Sequence, residues 1–306
     1  MGLMIIVVLV VVGLCFGSFV NALVWRIHEQ EKREGKQGKT AKQSVGGHAT
    51  SVKGQMVSPK LAKSAGDLSI IRGRSMCPWC KHELSAKDLV PVLSWLGLGG
   101  KCRYCHRPIS AQYPLVELAT AGLFVASYIW WPVALSGAQT AIFGLWLALL
   151  VGLMALLVYD ARWLLLPNRL IYPLGLIAGL QALLVTVAAN QPLKVLLGVI
   201  LAVLVGGGLF YILFQVSAGR WIGGGDVKLG WLLGLIVATP ARAVLMIFLA
   251  SVLGTLVSLP LLASHRLKGR SIISFGPFLI IAAVIVQLFG HTILLWYQQT
   301  FFPFSV

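Results

Sequence analysis

The chain has 306 residues, of which 58% are hydrophobic and 11% are charged, and its mean hydropathy is +0.87. Soluble domains are about 45–50% apolar and about 25% charged, so the composition excludes an ordinary soluble globule and indicates a multi-pass membrane protein. The net charge of +16 does not indicate nucleic-acid binding, because ten of these net positive charges lie in one polar insert, residues 26–112.

The hydrophobic residues form runs, and about 20 apolar residues of α-helix are needed to cross a bilayer. Eight runs are predicted as spans, at residues 3–25, 114–135, 140–159, 170–189, 195–217, 229–238, 243–263 and 275–296. The sixth run is short, so it has to be tilted or re-entrant. The first run has no basic start and no small-residue cleavage site, which predicts a retained helix and not a signal peptide.

The basic residues predict the orientation, because Lys and Arg favour the cytoplasmic side of a membrane. With the polar insert in the cytoplasm and the sides alternating, 23 of the 25 basic residues are cytoplasmic and only Lys194 and Arg242 lie outside. Without the sixth span, the last basic cluster (Arg266, Lys268 and Arg270) would also move outside. The N-terminus is therefore predicted to be periplasmic.

The insert contains two CxxC motifs, CPWC and CRYC, separated by 21 residues. Their cysteines are Cys77, Cys80, Cys102 and Cys105. Paired CxxC motifs about 15–20 residues apart are typical of zinc sites, and the alternative of disulfide bonds is disfavoured in the cytoplasm. Four thiolates complete a tetrahedral site, so the zinc is predicted to be structural. His82 and His106 are further candidate ligands that such a site does not need.

The last two acidic residues of the chain form a second candidate site. Asp160 ends the third predicted span and Asp226 precedes the sixth, so both are expected at the cytoplasmic boundary of the membrane. Two carboxyl groups that share one proton can hydrolyse a peptide bond, and the glycines of the GGGD motif leave room for a substrate backbone. For either aspartate alone, solvation or pairing with Arg162 or Lys228 is the favoured explanation. The two together favour an aspartyl protease.

These patterns predict an all-α polytopic membrane protein with about eight transmembrane helices. A small zinc-binding cytoplasmic domain is inserted between the first and second helices. The predicted regions are a first transmembrane helix at 1–25, a basic cytoplasmic tether at 26–76, the zinc-binding domain at 77–112 and a transmembrane catalytic core at 113–306.

A series of motifs in a fixed order runs along most of the chain. They are GSFVNALVWRIH at 17–28, the two CxxC motifs, ISAQYPLVELATAG at 109–122, VYDARWLLLPNRL at 158–170, GGGDVKLGWLLG at 223–234 and FGPFLIIA at 275–282. The series resembles the prepilin peptidases, the leader peptidase/N-methyltransferases of type IV pilus and type II secretion systems. The sequence departs from the family at Asn168, where members often have an aspartate, and in the tether, which has no counterpart.

The resemblance implies a GxGD-type aspartic protease of the bacterial inner membrane. Asp160 and Asp226 would be the catalytic pair, with Gly223, Gly225 and Lys228 as supporting motif residues. The substrates would be prepilins and pseudopilins, cut after a glycine at the cytoplasmic surface.

The resemblance also implies that the new N-terminal residue, usually phenylalanine, is methylated with S-adenosylmethionine. A region for this methyl transfer is suggested around Gly99, Gly100, Lys101 and Glu117. No GxGxxG after a strand supports a nucleoside site.

Two other classes stay open on the residues alone. One is a transporter in which Asp160 and Asp226 bind a cation, although no internal repeat supports it. The other is a scaffold whose zinc domain binds a pilus-assembly partner. A Ser–Lys or zinc-water protease is less favoured, since the spans contain no HExxH and no Ser–Lys pair. The expected partners are protein substrates and membrane lipid, without nucleic acid, and the oligomeric state is left open.

Overall fold

The computed structural model of the chain describes residues 2–45, 74–263 and 274–301. Two parts of the predictions lie outside these residues. They are the tether from 46 to 73 and the last basic cluster (Arg266, Lys268 and Arg270).

The described residues form helices and no β-strand, which confirms the predicted all-α class. Ten α-helices follow one another: α1 Gly2–Val45, α2 Leu93–Gly97, α3 Gln112–Ile129, α4 Ala138–Trp163, α5 Asn168–Val187, α6 Pro192–Val203, α7 Leu209–Ser217, α8 Gly224–Val237, α9 Pro240–Ala263 and α10 Gly276–Phe301. A 3-10 helix, Ala86–Leu89, precedes α2, and a π-helical segment, Leu204–Gly208, joins α6 to α7.

Six described segments are long and apolar enough to cross a membrane, which supports a multi-pass membrane protein. They are Gly2–Glu34, Ala138–Trp163, Asn168–Val187, Pro192–Ser217, Pro240–Ala263 and Gly276–Phe301. The predicted second and sixth spans are not among them. The second corresponds to α3, which has 18 residues and carries Glu117, and the sixth to α8, which has 14. The predicted count of eight spans is therefore not confirmed.

Helix α1 continues well beyond the predicted end of the first span at residue 25. Its polar continuation is rich in Glu, Lys, Arg and Gln, which are good helix formers. Arg33 lies 3.9 Å from Glu29, one helical turn earlier. The first part of the region predicted as a tether is thus helical up to Val45.

The chain divides into two compact units, Met1–Gly122 and Leu123–Val306. In the first unit, α1 packs closely on α3 through two glycines spaced four residues apart. A Cβ added to Gly13 would lie 2.6 Å from the Cα of Ala121, and one added to Gly17 would lie 2.5 Å from the Cα of Glu117. This is the small-residue contact that lets membrane helices approach closely.

In the second unit, glycines bring α8 against the π-helical segment. A Cβ added to Gly206 would lie 2.8 Å from the carbonyl oxygen of Gly230, and one added to Gly234 would lie 2.8 Å from the Cα of Val203. Three side chains of α8, Leu229, Leu233 and Val237, are fully buried. Close packing at Gly206, Gly230 and Gly234 therefore fixes α8, whose first turn holds Asp226.

Candidate active site

Asp160 lies in the last turn of α4 and is buried, with 3% of its surface exposed. The helix ends just after it because Leu164 adopts a left-handed conformation, φ 55°, and its N–H donates to the carbonyl oxygen of Asp160 at 2.8 Å. Pro167 then caps the start of α5. The turn between α4 and α5 thus holds the carboxylate at a helix end, as the sequence predicts.

Asp226 lies in the first turn of α8, directly after the glycine run. The N–H of Asp226 donates a hydrogen bond to the carbonyl oxygen of Gly223 at 3.1 Å, at the start of the helix. A Cβ added to Gly223 would lie 3.7 Å from the Asp226 Oδ2 atom, and one added to Gly224 would have only a Phe214 ring atom, 3.9 Å away, as a neighbour. The backbone before Asp226 is therefore open to a ligand of modest size.

Two contacts join the segment after Asp160 to the segment around Asp226. Lys228 donates a hydrogen bond to the Asn168 side chain at 2.8 Å. A Cβ added to Gly225 would lie 3.2 Å from the Leu166 side chain, so the bare glycine lets the two segments touch. These contacts hold the two segments that carry the aspartates side by side.

Two simpler roles for the aspartates, pairing with Arg162 or Lys228 and solvation at a surface, do not fit this geometry. Lys228 is bound to Asn168, and the Arg162 guanidinium stacks 5.5 Å from the Trp163 ring centre. Among the described residues, the ion pairs within 4.0 Å do not include either aspartate. The burial of Asp160 also excludes a solvated surface carboxylate.

The four knuckle cysteines come together in the first unit. Their Sγ atoms all lie within 4.8 Å of one another, and those of Cys77 and Cys105 are 3.9 Å apart. Tetrahedral zinc with bonds of about 2.3 Å places sulfurs close to this distance. Backbone N–H groups of Trp79 and Cys80 donate to the Cys77 sulfur. These contacts fit a thiolate site for one metal ion.

Burial and hydrogen bonds shift the pKa values of Cys77 and Cys102 in opposite directions. Burial raises the pKa of Cys77 to about 11. Burial also acts to raise the pKa of Cys102, but N–H groups of Cys105 and Tyr104 and the thiol of Cys77 donate to its sulfur and lower the pKa to about 7. A metal ion therefore meets at least one ligand that is ready to lose its proton near neutral pH.

A carboxylate that the motifs do not indicate ties the 3-10 helix Ala86–Leu89 to the second knuckle. Asp88 accepts hydrogen bonds from Arg103 at 2.7 Å and from the Tyr104 hydroxyl at 3.1 Å, both within the second knuckle. Burial acts to raise the pKa of Asp88, but the donors Arg103, Ser85 and Tyr104 outweigh it and lower the pKa to about 2. The Tyr104 ring stacks on His82, beside the first knuckle, with ring centres 3.7 Å apart.

Glu117 is connected to the region suggested for methyl transfer. It is buried in α3 and accepts a hydrogen bond at 2.7 Å from the N–H of Val92, the residue before α2. Beyond α2, Gly99 and Gly100 both have positive φ, 58° and 69°, where only glycine is relaxed. An added Cβ at Gly99 would meet no atom within 4 Å, whereas one at Gly100 would meet the Trp95 ring at 3.0 Å.

Three residues with contacts at these sites are not predicted from the sequence. Asp88 gives no signal beyond being one of few acids in the insert. Ser274 donates a hydrogen bond to the Asp160 Oδ2 atom, and no sequence pattern indicates this. Gly276 also faces that oxygen, since an added Cβ would clash with it; its FGPF motif is the signal that could have found it.

Comparisons with known proteins define the class of the chain. Residues 11–131 match the bacterial peptidase A24 N-terminal domain, and residues 147–259 match the type IV leader peptidase family. The chain belongs to the type IV leader peptidase family, as the motifs predict.

Similar curated proteins bear a more specific name. A prepilin leader peptidase/N-methyltransferase of Pseudomonas aeruginosa is 31% identical over 95% of this chain and 92% of its own length. Proteins of the same name from Aeromonas hydrophila and Bacillus subtilis are 34% and 30% identical, over 74% and 75% of this chain and 76% and 87% of their own lengths. No solved structure gives a significant match.

Proposed function

We propose that this chain is a membrane-embedded aspartic endopeptidase that removes the leader peptide of type IV prepilins and type II secretion pseudopilins by cutting after a glycine. It then N-methylates the new N-terminal residue, usually phenylalanine, with S-adenosylmethionine. The observation that carries the proposal is that the segments carrying Asp160 and Asp226, far apart in the sequence, touch each other through Lys228–Asn168 and Gly225–Leu166. The names of the similar proteins support the same substrates and both activities.

In cleavage, Asp160 and Asp226 share one proton. The ionised carboxylate takes a proton from water, whose oxygen bonds to the carbonyl carbon of the substrate glycine. The protonated carboxyl group then gives its proton to the departing nitrogen as the C–N bond breaks. The products are a leader with a free carboxyl end and a pilin with a free amine. Gly223 lets the substrate backbone approach, Gly225 lets the segment after Asp160 touch the motif, and Lys228 fixes the motif through Asn168.

The orientation that suits this reaction is the one indicated by charge. In the proposed eight-span arrangement of the inner membrane, α3 and α8 supply the two short spans. The N-terminus is periplasmic, and the cysteine domain and both aspartates are cytoplasmic. This arrangement leaves the basic leader of a prepilin on the side where the carboxylates lie.

The proposed metal is structural Zn²⁺ held by Cys77, Cys80, Cys102 and Cys105. Its role is to fold a domain that otherwise has little apolar core. Among the four cysteines, two are buried, Cys77 and Cys102, and one tetrahedral ion would take up all four sulfurs. The metal therefore has no part in cleavage.

The proposed methyl-transfer region comprises Gly99, Gly100, Lys101 and Glu117. S-adenosylmethionine supplies the methyl group there. An added Cβ at Gly99 would meet no atom within 4 Å, so the backbone is open to a ligand there. Glu117 holds the preceding helix α2 through Val92, and the Trp95 ring of that helix packs on Gly100. Glu117→Gln is expected to lower methylation more than cleavage, as mass spectrometry of the cleaved pilin would reveal.

The proposal is tested with membranes that contain the full chain and a prepilin. Asp160→Asn and Asp226→Asn should each lower cleavage by about 10²–10⁴-fold or more, because each removes one partner of the proton exchange. Their circular dichroism and membrane insertion should match the wild type. Asp88→Asn is a matched control, since this acid lies outside the pair. Appreciable cleavage by either variant of the pair would remove that aspartate from the mechanism.

A further inference from the structure

The start of α10 and the residues just before it approach one oxygen of Asp160 at two positions. The Ser274 hydroxyl donates a hydrogen bond to Oδ2, across 114 residues of sequence. A Cβ added to Gly276 would clash with the same Oδ2 atom. Both contacts are within the second unit, in which Asp160 is buried and Ser274 is half-buried.

We propose that Ser274 and Gly276 are positioning residues for the Asp160 carboxylate. The Ser274 hydroxyl fixes the rotation of the carboxylate by holding Oδ2, and Gly276 provides the space that Oδ2 occupies. The other oxygen, Oδ1, is left for the water and the shared proton. The inference rests on the proposed protease function, and it adds a third segment to the site formed by α4 and α8.

The same segment also contacts α8, the helix that carries Asp226. A Cβ added to Gly276 would lie 3.5 Å from the Leu229 side chain, which is fully buried in α8. The neighbouring Phe275 ring lies 5.9 Å from the ring of Phe210 in α7. The start of α10 therefore lies against both helices that carry the aspartates, so that a change there alters their spacing.

The expected effects of the two residues differ in size. Ser274→Ala removes one hydrogen bond to a buried carboxylate, which should lower kcat about tenfold and leave KM within about twofold. Ser274→Thr keeps the hydroxyl and should restore kcat to within about threefold of the wild type. Gly276→Ala displaces the carboxylate itself, and a displacement of about 1 Å can cost about 10²-fold in kcat.

The experiment uses the full chain in liposomes, with a prepilin for cleavage and an already cleaved pilin for methylation. Ser251→Ala is the matched serine control, because its hydroxyl binds only the carbonyl of Ile247 in its own helix. Gly144→Ala is the matched glycine control in α4, where an added Cβ meets no atom within 4 Å. Both controls should cleave like the wild type. Ser274 and Gly276 variants should methylate the cleaved pilin within about twofold of the wild type, because the proposed methyl-transfer region is elsewhere.

Three results would overturn the positioning role. They are wild-type kcat in Ser274→Ala, equal loss in Ser274→Thr and Ser274→Ala, and a raised KM with unchanged kcat. Loss of methylation together with cleavage in both serine variants would also overturn it, since Ser274 would then be needed for folding. Failure of the wild type to cleave prepilin would instead reject the proposed function itself.

Discussion

The cysteine domain and the aspartate site are assembled over very different lengths of chain. Each knuckle closes on itself within a few residues: Cys77 N–H donates to the His82 carbonyl at 3.0 Å, and Cys102 N–H donates to the Arg107 carbonyl at 2.9 Å. The residue after each second cysteine has a positive φ, near 60° in both. The aspartate site instead joins the end of α4, the start of α8 and the start of α10. Local hydrogen bonds prepare the metal ligands, whereas helix packing prepares the carboxylates.

The largest expected effect that separates the two regions is loss of metal. Cys102→Ser removes one of the four thiolate ligands and should therefore reduce zinc from about one ion per chain to none. The loss should be large, because a structural zinc contributes on the order of 10 kcal/mol to the folding of such a domain. Metal analysis of the purified chain measures this. Cys15→Ser is the control, since this cysteine is exposed in α1 and outside the cluster. Cleavage should fall less than in Asp226→Asn; an equal fall would mean that the metal domain is required for the chemistry. A zinc-free wild type would reject the metal site.

The next largest effect is expected from a substitution that disturbs only the packing of α8, the helix that carries Asp226. Gly230→Ala would place a Cβ against the Gly206 carbonyl oxygen, within the close contact of α8 and the π-helical segment. Overpacking of this kind costs about 1–3 kcal/mol, and the displacement of Asp226 should lower cleavage at least about tenfold. Thermal unfolding in detergent and a cleavage assay measure the two losses.

Gly208→Ala is the control for that substitution, since an added Cβ there meets no atom within 4 Å. The zinc content should be unchanged in both glycine variants. Normal cleavage by Gly230→Ala would show that the spacing of the aspartates tolerates movement of α8.

A smaller effect concerns Asp88, which links the 3-10 helix to the second knuckle. The folded pKa of Asp88, about 2, is below its ordinary value of 3.8. Its contribution is therefore fully present above about pH 4 and is lost as the pH falls through about 2. Asp88→Asn should destabilise the domain by about 1 kcal/mol, because its partner Arg103 is half exposed.

The difference in thermal unfolding between wild type and Asp88→Asn should stay constant from pH 7 to about 4 and shrink below that. Lys87→Gln, an exposed neighbour in the same 3-10 helix, is the control and should unfold like the wild type. A difference that grows as the pH falls would show that the carboxylate is not charged in the folded domain.

The smallest effect is expected at Asn168, where the sequence departs from the family pattern. Asn168→Asp keeps the acceptor for Lys228 and turns the contact into an exposed ion pair, which is worth about 0–1 kcal/mol. Cleavage should stay within about twofold of the wild type in a rate assay. A tenfold change would indicate that position 168 acts on the aspartates directly.

The sequence predicted much of this arrangement because several of its signals are local. The CxxC spacing indicated the ligand cluster, and the positions of Asp160 and Asp226 at the ends of apolar runs placed them at helix ends. The predicted count of eight spans is not confirmed, because it depends on length and hydropathy and two of the predicted spans are short. Helix α3 is 18 residues long and carries Glu117, and α8 has only 14 residues.

By itself the sequence determined the apolar helices, the four-cysteine cluster and the family, since each depends on residues close together in the chain or on motifs in order. Only the tertiary structure decided that Ser274 binds Asp160, that Gly276 faces the same oxygen and that Lys228 binds Asn168 rather than an aspartate. The physical reason is that these contacts depend on how helices pack. A glycine such as Gly230 permits a backbone approach that no pattern of hydrophobicity encodes.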